Sequence, residues 1–432
     1  MRITLLTYGS RGDIQPFVAL ADGLRAAGHQ PTLAAPYRFA QFAAQYQIPF
    51  VPLPGDPEEL SERINDSRHS LPQMIGSMNE YVLSIAAPVW QSAKSACLGA
   101  EIIIHSFLFT TGAHSLARQM GVPDISIQLF PTFAPTHAFP MVAAPNLPAG
   151  LLSYFSHWLG VQTFWHIGKI GFERLKKIDS ETFDMQLFWP FERDIASPTG
   201  NTPLIFAYSP QIIPRPGDWQ DPGIFVTGYF FLNEAEKYTP QPKLIEFLSQ
   251  NEPPVCISFG SMISKESART AAAVGEALKS TGQRGVILTG WGSEVPEIDP
   301  QRIICLQSAP HDWLLPYCKA IIHHGGAGTT AAALRAGIPN IIIPHGADQP
   351  FWGNQVSRLG VGPKPLAVNT LNGKNLAFAI QTALTPVVQA KASEIGKLIR
   401  AENGVGAAIE IIEAHANRVK RQRNSTGIEK IG

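Results

Sequence analysis

Seven consecutive residues, His323-His324-Gly325-Gly326-Ala327-Gly328-Thr329, combine two imidazoles, three glycines and a hydroxyl. Glycine lets backbone N–H groups approach an anion closely. A helix opening at Thr329 adds the partial positive charge of its N-terminus. Together these make a phosphate cradle. It lacks the lysine of a P-loop and is not a GxGxxG, so neither an ATPase nor a nicotinamide enzyme fits it. A second pair, Asp348-Gln349, sets a carboxylate beside an amide. The two can bind adjacent sugar hydroxyls, or Asp348 can cap a helix around Phe351–Leu359. Ser261 offers a hydroxyl and an N–H that suit a phosphate or simply close a turn. Trp291 either walls a nucleotide pocket or packs in a core. Far upstream lies Ser10-Arg11-Gly12-Asp13. Asp13 there is a weak base, with an ordinary pKa of about 3.9, but it can accept a proton that becomes acidic as a hydroxyl attacks. It can equally cap a helix, and the two roles are compatible.

These groups need elements to hold them. The chain opens on an apolar run, Ile3–Thr7, followed by the Ser10–Asp13 loop and a helix whose face is Phe17, Leu20, Ala21 and Leu24. Pro16 is expected near that helix's start, where a missing N–H costs little, and Gly28 marks its end. Further strands are expected at Thr32–Ala35, Glu101–His105 and Ile125–Leu129. A proline-rich stretch, Pro203–Pro222, precedes a junction at about residues 230–242. A second series follows from Val255: VCISFGS, a helix from about Lys265 to Thr281, then VILTGWG, IICLQ, AIIHHGG and NIIIP. Strand–helix alternation implies an α/β fold with parallel sheets covered on both faces. In such sheets ligands sit at the carboxyl ends of the strands, where every polar group named above falls.

Composition narrows the classes. The chain has 432 residues, enough for two domains, with 34 basic and 34 acidic side chains and 16% charged residues. Nothing in that balance suggests nucleic acid as a partner. Four well-separated cysteines, Cys97, Cys256, Cys305 and Cys318, imply reduced thiols and a cytoplasmic protein. No run is apolar enough for a membrane span, and MRITLLTYG reads as a strand. The aromatic stretch Leu147–Phe172 reads as an apolar binding wall, a membrane-touching surface or plain core. Arg418, Lys420, Arg421 and Arg423 near the C-terminus read as a solvated helix end, with anionic lipid as the alternative.

The motifs together resemble the GT-B glycosyltransferases of the family-1 and family-28 type, particularly UDP-glucose:sterol glucosyltransferases and bacterial antibiotic aglycone glycosyltransferases. The resemblance is carried by YGSRGDIQPFVALADGLRAAGH, by FAYSPQIIPRPGDWQDPGIFVTGYFFL, by SFGSM and TGWG, and by the run from Pro310 to Gly353. It implies a GT-B fold of two Rossmann-like domains facing across a cleft. The domains would be residues 1–232 for the acceptor and 233–410 for the donor, with 411–432 returning to the first. It implies inverting transfer of a hexose, glucose first, from a UDP-sugar to a hydroxyl of a hydrophobic acceptor such as a sterol or lipid. A polyketide, carotenoid or peptide aglycone and a TDP-sugar are the alternative, and a non-enzymatic nucleotide-sugar-binding protein a third. Asp13 would be the base, with Ser10, Arg11 and Gly12 as the acceptor-side loop. Ser261, Trp291, Ser308, Ala309, His311, His324, Gly326, Gly328, Thr329, Asp348 and Gln349 would hold the donor. His324 would give an imidazole N–H, or a positive charge, to phosphate; Ser308, Ala309 and His311 would read the base edge. No DxD triplet is present, so no metal and no other cofactor is expected. Partners would be the nucleotide sugar and the acceptor, with peripheral membrane contact left open. One departure stands out: related sterol-type sequences carry PFFGDQ, whereas this chain has PHGADQ, with His345, Gly346 and Ala347 before Asp348.

Overall fold

The computed structural model describes residues 1–56, 59, 71–191, 201–250, 252–259, 267–289, 299 and 301–426. They form two compact units. The first contains Met1–Tyr208, Arg215–Leu232 and the segment from Asn403 onward; the second contains Ser209–Pro214 and Asn233–Glu402. The chain returns to the first unit at Asn403 rather than at residue 411 as expected. The reason is local: a Cβ on Gly404 would lie 2.5 Å from the Tyr229 carbonyl, so the returning backbone already seats on the first unit there.

In the first unit seven strands form a sheet in the order β3-β2-β1-β4-β5-β6-β7. They are β1 (Arg2–Leu6), β2 (Gln30–Pro36), β3 (Phe50–Leu53), β4 (Ile102–His105), β5 (Asp124–Gln128), β6 (Leu204–Phe206) and β7 (Ile224–Val226). All pairs are parallel, with Ile3 opposite Ile102 and Leu6 opposite His105. Alternation sends successive side chains to opposite faces. Ile3 and Leu5 pack with Phe17, Val18 and Leu20 of the Arg11–Ala26 helix and with Ala408 and Ile412 of the last helix. Leu6 and Ile103 pack on the other face with Trp90, Cys97 and Phe109. β1 and β4 are therefore covered on both faces.

Pro16 lies six residues into the Arg11–Ala26 helix, not near its start. The Gly12 carbonyl thus loses a helical N–H, at small cost because Gly12 is exposed to water.

The second unit's sheet runs β10-β9-β8-β11-β12, again parallel. Its strands are β8 (Val255–Ser258), β9 (Gly285–Leu288), β10 (Ile303–Leu306), β11 (Ala320–His323) and β12 (Asn340–Ile342). Helices such as Ser267–Thr281 and Gly373–Ala383 cover one face with Val274, Leu278 and Ile380. Leu314, Leu315 and Ala333 cover the other. The loop after β11 and the turn after β12 leave this sheet at its carboxyl edge.

Candidate active-site elements

The glycine loop is built around His323, which is fully buried. Its Nδ1 accepts the Gly325 N–H at 3.1 Å, so Nε2 carries the proton and donates to Asn340 Oδ1 at 3.0 Å. Asn340 donates in turn to the Ile338 carbonyl. His323 is thus a brace between the loop and β12. Burial pushes its pKa down to about 3. Gly325 has φ +91°, and a Cβ there would lie 2.6 Å from Ile342 Cγ2, so only glycine serves. Gly326 is the N-cap of the Ala327–Ala336 helix. A Cβ on Gly326 would meet His324 Nε2 at 2.5 Å, so the imidazole occupies the space that glycine leaves. At Gly328 nothing lies within 4 Å of a built Cβ, and the residue is exposed. The first helical bond comes from the Thr330 N–H to the Gly326 carbonyl. The N–H groups of Gly328 and Thr329 therefore have no acceptor within their own helix, the arrangement that receives an anion.

His324 sits in this pocket with Nδ1 buried and without a hydrogen-bond partner among the described residues. Burial first, and His345 second, push its pKa down to about 4. The ring is therefore neutral at pH 7.

Asp348 and Gln349 pack against the same loop. The Gln349 backbone oxygen lies 3.1 Å from where a Gly325 Cβ would stand. Gln349 Oε1 accepts the N–H groups of His345 at 2.7 Å and Gly346 at 3.3 Å, folding the turn that carries the pair. Ala347, between them, has φ +53°, a left-handed conformation that an alanine holds under strain. Asp348 makes no side-chain cap bond to its own helix, Gln349–Arg358. It accepts instead from Trp352 Nε1 at 2.8 Å and from the Ala327 backbone. Burial raises its pKa. The carboxylate thus ties the two helices that flank the cradle.

Ser308 is exposed and Ala309 half-buried just beyond β10, on the same carboxyl edge. His311 opens the next helix and its Nε2 lies 3.3 Å from Ser258 Oγ, at the end of β8. Ser261 and Trp291 lie outside the described residues.

In the first unit, the loop after β1 holds Asp13 half-buried at the start of its helix. Its Oδ2 accepts the Ser10 N–H at 2.8 Å and the Ser10 hydroxyl at 2.9 Å. Gly9, at φ +143°, leaves room for it: a Cβ there would stand 2.4 Å from Oδ2. The helix cap is therefore real. Arg11 stacks over Phe42 at 4.8 Å, and Gly12 is exposed.

The same unit holds an apolar groove of about 580 Å³, lined among others by Phe107, Phe133, Met141, Leu152, Phe155 and Phe164. Phe133 is its hub. The ring stacks on Phe107 at 5.4 Å and meets Phe164 at 4.9 Å and Trp189 at 5.6 Å. Its backbone is left-handed, φ +63°, a strained state for a bulky residue and a mark of a shaped site. Part of the Leu147–Phe172 stretch, which the sequence left open between binding wall, membrane surface and core, lines this groove. Sequence reasoning missed Phe107 and Phe133, and the neighbouring pair Phe107 and Phe109 is the signal that would have found the first.

Residues 3–105 match the glycosyltransferase family 28 N-terminal domain, and residues 286–404 match the erythromycin biosynthesis protein CIII-like C-terminal domain. The chain is similar to a sterol 3-beta-glucosyltransferase of Arabidopsis thaliana, 33% identical over 96% of this chain and 68% of that protein. It is likewise similar to an O-mycaminosyltylonolide 6-deoxyallosyltransferase of Streptomyces fradiae, 31% identical over 96% of this chain and 98% of that protein. The chain belongs to the GT-B glycosyltransferases. The solved glycotransferase of kitacinnamycin superposes with a TM-score of 0.70 at 19% identity, over 96% of this chain and 99% of that one, a likeness of fold. The glycosyltransferase described here spans 30% of the length of some Aspergillus sterol glucosyltransferases.

Burial of its histidines should make this glycosyltransferase acid-sensitive. Burial lowers His157 and His415 in the first unit to about 4, and His323 and His324 in the second to about 3 and about 4. Unfolded, each binds its proton near pH 6.5, so the unfolded state takes up more protons below that pH. Their contribution is fully present above pH 6.5 and is lost as pH falls toward 4. Each histidine removes up to about 1.4 kcal/mol per pH unit in that window. Urea midpoints measured from pH 7.5 to 4.5 should fall for both units; a flat profile would refute neutral burial.

Proposed function

We propose that this glycosyltransferase moves a hexose, with glucose the first candidate, from a UDP-sugar to a hydroxyl of a hydrophobic acceptor such as a sterol or lipid, inverting C1. The observation that carries the donor half is the buried Nδ1 of His324, unpartnered among the described residues, beside a helix N-terminus that is open at Gly328. A buried polar atom without a partner is costly, and a phosphate oxygen satisfies it in the Nδ1–H tautomer. The N–H groups of Gly328 and Thr329 and the helix dipole take the remaining charge. Asp348 and Gln349 contact sugar hydroxyls from the turn packed on Gly325. Ser308, Ala309 and His311 face the base, with Ser261 and Trp291 completing the donor site.

In the reaction the acceptor oxygen attacks C1 and its proton passes to Asp13. The bond from C1 to the β-phosphate oxygen breaks, and UDP departs with the electron pair. That charge is taken up by backbone N–H groups and His324, with no metal. The acceptor half rests on the groove, whose aromatic lining suits a flat apolar molecule.

A second reading, an aglycone other than sterol, is favoured by the Streptomyces relative, which this chain spans almost end to end, and a TDP-sugar is the alternative donor tested with it. Radiolabelled UDP-glucose and TDP-glucose offered with a sterol, a lipid extract and soluble aglycones separate the two. Label in the organic phase from UDP-glucose supports the first. Label only in soluble product, or only from TDP-glucose, supports the second. UDP binding without any transfer would sink both.

A further inference from the structure

The helix Leu151–Ile178 buries only Ser153 and His157 of its 28 residues. Leu151, Leu152, Phe155, Trp158, Ile167 and Ile170 are between 46% and 79% exposed. An apolar face this large is not left to water without a use. Leu152, Phe155 and Leu159 are both outwardly exposed and part of the groove wall. The outer face and the groove are therefore one continuous carbon surface.

Charge tells what covers it. The helix carries Lys169, Arg174, Lys176 and Lys177 against a single acid, Glu173, in a chain whose charges cancel only when taken as a whole. Lys177 follows Leu159 by eighteen residues, a whole number of 3.6-residue turns, so the basic end continues the apolar side. A protein partner of the ordinary kind would meet a mixed rim; apolar side chains running into lysines along one helix fit an acyl boundary topped by anionic headgroups. Among the described residues no helix is long and apolar enough to cross a membrane, so the contact is with the surface. The C-terminal basic cluster is a poorer candidate. Arg423 donates to the Gly121 carbonyl and Arg418 to His415, so both are used within the fold.

We propose that Leu151–Ile178 lies in the headgroup boundary of an anionic bilayer, with the mouth of the groove opening onto the acyl region. Docking is independent of the transfer reaction proposed above and is tested without donor.

The full chain is sedimented with vesicles of phosphatidylcholine alone and of phosphatidylcholine with one-third phosphatidylglycerol. The anionic vesicles should retain at least about tenfold more protein. Phe155→Ser with Trp158→Ser should abolish retention on both. Lys169→Glu with Lys177→Glu should abolish only the anionic preference. Circular dichroism melting checks that these exposed substitutions leave the fold intact, and Trp158→Phe, which keeps the apolar face, should diminish quenching by brominated lipid while retaining binding. Equal retention of wild type and the apolar variant would overturn the proposal. So would a dimer in sedimentation velocity that the apolar variant dissolves, since a second copy would then be what covers the face.

Discussion

Asp13→Asn should leave nucleotide-sugar binding unchanged and lower turnover by about two to four orders of magnitude. The substitution is nearly isosteric. The asparagine Oδ1 can still accept the Ser10 N–H that Asp13 Oδ2 now holds at 2.8 Å, so the helix cap survives. What is lost is the ability to take a proton. Asp13 and the glycine loop belong to different units, so donor affinity reports on the second unit independently of the change. Titration calorimetry with UDP gives that affinity, and initial rates under saturating donor give turnover. A mutant whose turnover falls less than about threefold would leave Asp13 as a helix cap alone.

Asp124→Ala should destabilise the first unit by about 3–5 kcal/mol, lowering its melting temperature by roughly 10 °C. Asp124 is 1% exposed at the start of β5. It lies 2.9 Å from His105 Nε2, 3.1 Å from His114 Nδ1 and 3.1 Å from the Thr202 hydroxyl. Burial alone would raise its pKa, but His114 and His105 outweigh that and hold it well below the usual carboxylate range. The one carboxylate joins β4, β5, the Thr110–Met120 helix and the approach to β6. Alanine leaves several buried donors unpaired at once. Differential scanning calorimetry should show the first unit's transition moving while the second unit's stays. A loss below about 1 kcal/mol would mean that water enters and replaces the carboxylate.

The glycine loop was legible because glycine at Gly325 and Gly326 answers close approach of neighbouring atoms, and the sequence displays the run without any tertiary information. The second sheet was legible for a similar reason, since VCI, IIC and AII are uninterrupted apolar runs. What escaped depends on distance along the chain. The bracing role of His323 appears only when Asn340 is seen across β12. The Phe133 hub gathers rings from residues 107, 133, 164 and 189, and no local pattern announces their meeting. β6 is three residues long behind Pro203, and the proline-rich flank concealed it. Asp13 was read as cap or base, and the bonds to Ser10 establish the cap.

The return of the chain at Asn403 has a consequence for biosynthesis. Ala408 and Ile412 sit in the same apolar cluster as Ile3, Phe17 and Val18. The first unit cannot close that cluster while the ribosome is still making residues 233–402, even though its own sheet strands emerged earlier. The second unit, nearly contiguous in sequence, can complete itself first. The half synthesised first is therefore the half finished last, and its exposed apolar face on the Arg11–Ala26 helix is the surface a chaperone would meet in the interval.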